Sequence, residues 1–161
     1  MDGVRERLLE ALEQSMGQLH REAVGIVDEH WEAVKAGERG TTGWESKSRL
    51  QLASHRKGNH IQLKWIGVKW YGTGGKRSST KVAIRRTGKH LSYSEATLRQ
   101  WARDWEVELV LATEAKLSLI RRQASHLAKA GISIRAANAL ASGLPVPLET
   151  DAEDTDIEVY S

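Results

Sequence analysis

The sequence has no cysteine, no phenylalanine, only two prolines and no long apolar run among its 161 residues. Without cysteine there is no disulfide framework, no thiolate zinc site and no thiol nucleophile. No stretch approaches the roughly 18 consecutive apolar residues that would cross a bilayer. The start, Met1-Asp2-Gly3-Val4-Arg5-Glu6, leads into no signal-peptide core. These absences predict a soluble, cytoplasmic protein with no membrane partner. The length suits one domain with a real core and would leave two full domains cramped.

What the chain has in quantity is charge, and its net value of +3 conceals how that charge is distributed. Residues 1–43 carry five basic and nine acidic side chains, and residues 104–148 carry five and four. Residues 149–161 carry six acidic side chains and no basic one. Residues 44–103 carry fourteen basic side chains against Glu45 and Glu95 alone, a net of +12. Mixed signs would serve solubility. A one-signed block inside a near-neutral protein is a field that attracts polyanions, and it points to a nucleic-acid surface.

Apolar spacing divides the chain into an α+β order. Leu8, Leu12, Met16, Leu19, Ala23, Ile26, Val27, Trp31 and Val34 recur at threes and fours, predicting a helix over 4–36 that ends before the glycine-rich stretch at 37–43. The β region, 44–87, alternates instead. Leu50 and Leu52 precede a Lys57-Gly58-Asn59 turn, then come Ile61, Leu63 and Trp65, and after a glycine loop Val82 and Ile84. Three antiparallel strands fit this pattern. After Trp65 the parity shifts to Ile66, Val68 and Trp70, which predicts a β-bulge at Gly67.

Ser92-Tyr93-Ser94-Glu95 has capping-box spacing. It opens a helical region, 92–142, with an apolar face of Leu98, Ala102, Trp105, Leu109, Ala112, Leu117, Ile120, Ala124 and Leu127. Gly131 is expected to break this helix and Ser133 to cap a short last one, with Gly143, Pro145 and Pro147 ending it. The expected architecture is a single α+β domain over 1–143. A long N-terminal helix and a long C-terminal helix form a hairpin carrying a three-stranded antiparallel sheet. Residues 144–161 would be an acidic, disordered tail, able to shield the basic face or engage a basic protein. Helices this long overhang a small sheet, and a homodimer is the economical way to bury the surplus apolar stripe.

Alternation assigns Leu50, Leu52, Ile61, Leu63, Trp65, Val82 and Ile84 to the inner face of the sheet. Arg49, Gln51, Gln62, Lys64, Lys81 and Arg85 go to the outer one. Lys76 and Arg77 on the glycine loop, and Arg86, Lys89 and His90 after the third strand, border that outer face. Such cations hold phosphates, while Gln and Arg also read base edges, and a ribbon of this width enters a major groove. Like charges facing one another on strands are unfavourable in the protein alone. An anionic ligand is the simplest reason to tolerate them, and double-stranded DNA is the expected one. Trp31, Trp65, Trp101 and Trp105 fall on apolar faces and are assigned to the core. Trp44 and the Trp70-Tyr71 pair lie at strand edges among cations, where they could stack on unpaired bases.

No constellation of residues reads as catalytic. The loop Gly72–Ser79 lacks the first glycine of a phosphate-binding loop, has Arg77 where Ser or Thr should follow Lys76, and leads into a strand. The six histidines include no pair at metal-site helical spacing, and Asp104, Glu106 and Glu108 diverge on a helix. Glu114 and Lys116 read as solvent-face charges. The segment His126–Leu140 resembles the first two helices of a helix-turn-helix, but Gly143–Pro147 stands where a recognition helix should follow. The chain is therefore expected to be no enzyme and to use no metal or cofactor.

Several segments resemble one family. They are Asp28-Glu29-His30-Trp31, the strand Ile61-Gln62-Leu63-Lys64-Trp65, the loop end Gly75-Lys76-Arg77, and Asp104-Trp105-Glu106-Val107-Glu108-Leu109 followed by Thr113-Glu114-Ala115-Lys116 and Ile120-Arg121-Arg122. Over about residues 20–130 the chain resembles the MobI-like conjugative transfer proteins of integrative conjugative elements and related plasmids. The resemblance implies an auxiliary factor acting at the origin of transfer with a relaxase and a type IV secretion machinery, and it supplies no catalytic residues. The expected role is a relaxosome accessory factor that binds DNA. The alternatives are a protein–protein adaptor of the transfer machinery and a DNA-binding transcriptional regulator.

Overall fold

The structure, a computed structural model, describes residues 3–40, 43, 46–86 and 91–146. The expectations that fall on Trp44, Lys89, His90 and the acidic segment beyond Val146 lie outside these residues. The element order is α1 (Gly3–Gly40), β1 (Leu50–Lys57), β2 (His60–Tyr71), a 3-10 turn (Gly74–Lys76), β3 (Ser78–Ala83), α2 (Glu95–Trp101) and α3 (Val107–Ala141). This is the α+β layout that the apolar spacing predicts, with α1 and α3 packed together and the sheet against them.

The expected stripe of α1 is buried at Met16, Leu19, Ala23, Val27 and Val34. The helix runs past its predicted stop to Gly40, despite the poor helix propensity of glycine. Tertiary contacts account for this. Gly37 lies against the Trp105 ring, and the Glu38 carboxylate accepts the Ser48 N–H at 3.0 Å.

The sheet is a meander of order β1-β2-β3. Lys57 pairs with His60 across a two-residue turn, and Gly58 takes the φ of +57° that such a hairpin requires. Leu50, Leu52, Ile61, Leu63 and Trp65 are buried on the inner face, as alternation predicts. The bulge is not there: pairing steps one-to-one from Lys57–His60 to Leu50–Gly67. The parity shift has another cause, which is burial of β2 on both faces. Ile66 and Val68 share the outer face with Gln51 and Lys81, yet they are 9% and 2% exposed. Val68 sits between Arg49 and Lys81, whose aliphatic stems can shield such a neighbour. On the inner side Trp101 rests on Gly67, where a Cβ would lie 2.7 Å from the ring. β3 ends at Ala83, short of the expected Arg85.

The C-terminal region departs further from expectation. Ser94, not Ser92, caps α2, its hydroxyl accepting the Thr97 N–H at 3.2 Å. The chain then turns over 102–106 instead of continuing as one helix. Trp101 packs on β2 at Gly67 while Trp105 packs on α1 at Gly37, whereas side chains four apart on a continuous helix share a face. Glu106 is wholly buried and helps close the turn, its Oε1 accepting from the Ser48 hydroxyl (2.9 Å) and the Arg103 N–H (3.3 Å). The break puts the next helix out of step, so Val110 and Thr113 are buried in place of Leu109 and Ala112. Gly131 does not interrupt α3. It is buried near Leu12 and Met16 of α1 around a cavity of about 40 Å³, where packing offsets the ~1 kcal/mol cost of a helical glycine.

Glu114 is buried as well, contrary to its reading as a solvent-face charge. Its carboxylate meets Arg121 in a bidentate pair (2.6 and 3.1 Å) and accepts the Trp65 indole N–H (2.7 Å) and the Tyr93 N–H (3.1 Å). Arg121 also donates to the carbonyls of Leu63 and Leu91 and lies 5.1 Å from the centre of the Tyr93 ring. A polar clamp, saturated with hydrogen bonds, thus pins the middle strand to α3.

Candidate nucleic-acid interface

The structure divides the cations of the basic block into two sets. Those of the first set are bonded into the protein. Arg49 donates to the Trp101 carbonyl (3.1 Å) and the Gln100 carbonyl (3.5 Å), and so ties the end of α2 to the sheet. Arg56 pairs with Glu13 of α1, Lys47 with Glu38 (3.6 Å) and Arg99 with Glu95 (2.8 Å), while Arg103 donates to the Lys47 carbonyl (3.1 Å). Arg49, Arg56, Lys47 and Arg103 join separate segments, whereas the Arg99–Glu95 pair lies within α2.

The second set lines the surface of the sheet. Residues opposite one another in an antiparallel ladder share a face. The pairs Gln51–Ile66, Ala53–Lys64, His55–Gln62, Lys57–His60 and Val68–Lys81 therefore place Gln51, Gln62, Lys64 and Lys81 together on the outer side, as expected. The register adds His55, Lys57 and Trp70, which sequence reasoning left off that face although their parity was available to it. Lys57 and Lys81 are exposed, while Gln51, Gln62 and Lys64 are half-buried. Ile66 and Val68 lie between the cations, so the face is a basic margin around an apolar centre rather than a continuous polar surface.

The remaining expected contacts border this face without joining its ladder. Lys76 is exposed on the 3-10 turn at the tip of the β2–β3 hairpin, and Arg77 follows it, half-buried. Arg85 and Arg86 come after β3 ends, with Arg85 exposed. Arg86 is near enough to Tyr93 to counter the upward push of burial on that phenol. Lys89 lies outside the described residues. Arg49 is brought to the sheet, but its guanidinium is turned onto α2.

Among the described residues, no cluster of three His, Asp or Glu stands where a metal ion could be held. His30 and Glu106 are perturbed as well, and both belong to the packing. Burial lowers His30 to about 4, its Nδ1 lying 3.1 Å from the Thr113 hydroxyl and its ring edge-on to Trp65. Burial pushes the Glu106 carboxyl up against the opposing hydrogen bonds from Ser48 and Arg103. No helix among the described residues is long and apolar enough to cross a membrane.

No curated protein and no solved structure matches the chain. A family model described as MobI protein matches residues 19–135, well over half of the chain and all of the sheet. That span carries the buried stripe of α1 from Leu19 onward, the meander and the Glu114–Arg121 clamp, and on it the chain belongs to the MobI family, a family of conjugative mobilization.

Proposed function

We propose that this protein is a DNA-binding accessory factor of conjugative transfer, holding duplex DNA on the outer face of its sheet at the origin of transfer. The observation that supports this reading is the division of the basic block: Arg49, Arg56 and Arg103 are bonded inward, while Lys57 and Lys81 are exposed on the outer face of the ribbon and Arg85 is exposed just beyond the end of β3. Phosphates would be held by these cations and by Lys64, Lys76, Arg77, Arg86 and Lys89, with Gln51 and Gln62 available to base edges. The protein would work without a metal, cofactor or catalytic step of its own, in the cytoplasm, positioning or deforming DNA for a relaxase. The exposed apolar side chains at the open end of the helical hairpin, Val4, Leu8, Leu140 and Leu144, suit contact with a second copy.

The test is a mobility shift of an origin-of-transfer fragment against random duplex across a range of salt concentrations. If about five phosphates are neutralised, log K falls with log salt at a slope near −4.5. Lys81→Ala with Arg85→Ala is expected to weaken binding and to reduce that slope by about 2. Unchanged affinity in the folded variant, or nicking of supercoiled plasmid by the protein alone, would contradict the reading.

A further inference from the structure

The β2–β3 hairpin extends beyond β1. The last backbone bond from β2 to the β1 side is Val68 N–H to the Arg49 carbonyl, whereas Lys69, Trp70 and Tyr71 continue to pair with Thr80, Ser79 and Ser78 of β3. On its other edge this end of β2 has no strand partner among the described residues. Instead it faces the end of α2 across an open groove of about 530 Å³, lined by Arg49, Val68, Lys69, Trp70, Tyr71, Gln100, Trp101 and Arg103. Among the described residues, its lining holds three aromatic rings and three cations and no carboxylate. Trp70 and Tyr71 are 37% and 51% exposed, although large aromatic side chains gain by burial.

We infer that this groove binds unpaired nucleotides of single-stranded DNA, a role distinct from that of the sheet face and resting on the reading of the protein as a DNA-binding factor. Neighbouring residues of a strand point to opposite sides. Trp70 and Tyr71 therefore flank the open edge, with Trp101, which rests on Gly67, on the Tyr71 side. A single strand crossing the edge can stack one base on each side, since every base has a π-face. Lys69 is exposed beside them for the backbone phosphates. Arg49 and Arg103 each retain guanidinium donors beyond those given to the α2 and Lys47 carbonyls. A peptide adding as a strand would find only three residues of edge and a wall of cations. A duplex hides its base faces and cannot enter. Proteins that act where DNA is opened meet both forms, and the sheet face and the groove would divide them.

The experiment compares binding of the full chain to a labelled short oligothymidylate and to a labelled mixed-sequence duplex, by fluorescence anisotropy. The variants are Tyr71→Ala, on the side of the strand away from the duplex face, and Lys81→Ala with Arg85→Ala, each checked for its fold by circular dichroism. The Tyr71 variant is expected to lose single-strand affinity by at least about fivefold and to keep duplex affinity within about twofold. The cation variant is expected to lose chiefly duplex affinity. Single-strand affinity unchanged in the aromatic variant, or lost only in proportion to duplex affinity, overturns the groove. Tighter binding of a ribo-oligonucleotide of equivalent sequence assigns it to RNA and also overturns it. Absence of duplex binding by the unaltered chain instead refutes the proposed function, so the two failures are separable.

Discussion

Gly67 and His30 illustrate how much of this fold rests on single contacts. Trp101 occupies the space a Cβ at position 67 would need, so Gly67→Ala forces the ring or the strand to move. The expected cost is about 1–3 kcal/mol, read from chemical denaturation. His30 is 4% exposed and neutral, with its protonation lowered to about 4. An unfolded histidine protonates near 6.5. Between those values the unfolded chain binds a proton that the folded chain refuses, so stability is full above the window and falls as pH drops through it. About 2 kcal/mol should be lost by pH 5. His30→Gln, which keeps a polar group for Thr113, should reduce the difference between urea midpoints at pH 7 and pH 5. Glu106 acts in the opposite sense: its raised carboxyl favours the folded state at acid pH, and that contribution fades as pH rises above the usual carboxylate range. The histidine variant is therefore the measurement that isolates His30.

Among the elements, the attachment of β2 to α3 depends on two buried charges. Removing one of them leaves the other desolvated without a partner. Arg121→Met is expected to cost about 3–5 kcal/mol in a denaturant melt, and adding Glu114→Leu should recover much of that loss. The clamp also marks where the sequence could be read and where it could not. Helix and strand periods identified α1, the three strands and the two sides of the sheet, because each depends on apolar spacing within one segment. Glu114 was misread because a carboxylate on an apolar stripe looks like a stripe edge until its partner, seven residues on, is known to share the burial. The break at 102–106 was missed because Trp101 and Trp105 fit one helical face. Only the positions of Gly67 and Gly37 separate them. For the interface, parity alone was enough to group Gln51, Gln62, Lys64 and Lys81. It was silent on which arginines are bonded inward, since the Glu13 and α2 carbonyls that hold them are remote in sequence.

Taken end to end, α1 and α3 hold 38 and 35 residues, roughly 57 and 52 Å at 1.5 Å per residue. A core that stops at Met16 on α1 leaves the start of that helix outside it. Val4 and Leu8 there are about half exposed, and Leu140 and Leu144 more so. If a second copy covers this end, sedimentation at tens of micromolar should give a dimer, and Leu8→Glu with Leu140→Glu should return the monomer without loss of helix content. A monomer in the unaltered protein would remove the homodimer from the proposal.

The hydrogen bond from Arg5 to Asn138, 3.4 Å long, joins residues 133 positions apart, whereas the strands of the meander are consecutive. Closing the larger loop carries the greater entropic penalty, so the two hairpins should assemble first and the far ends of the long helices should zip together last. Deuterium uptake would then be slowest at the amides of β2 and fastest along the first turns of α1, where brief opening exposes nothing that the sheet needs.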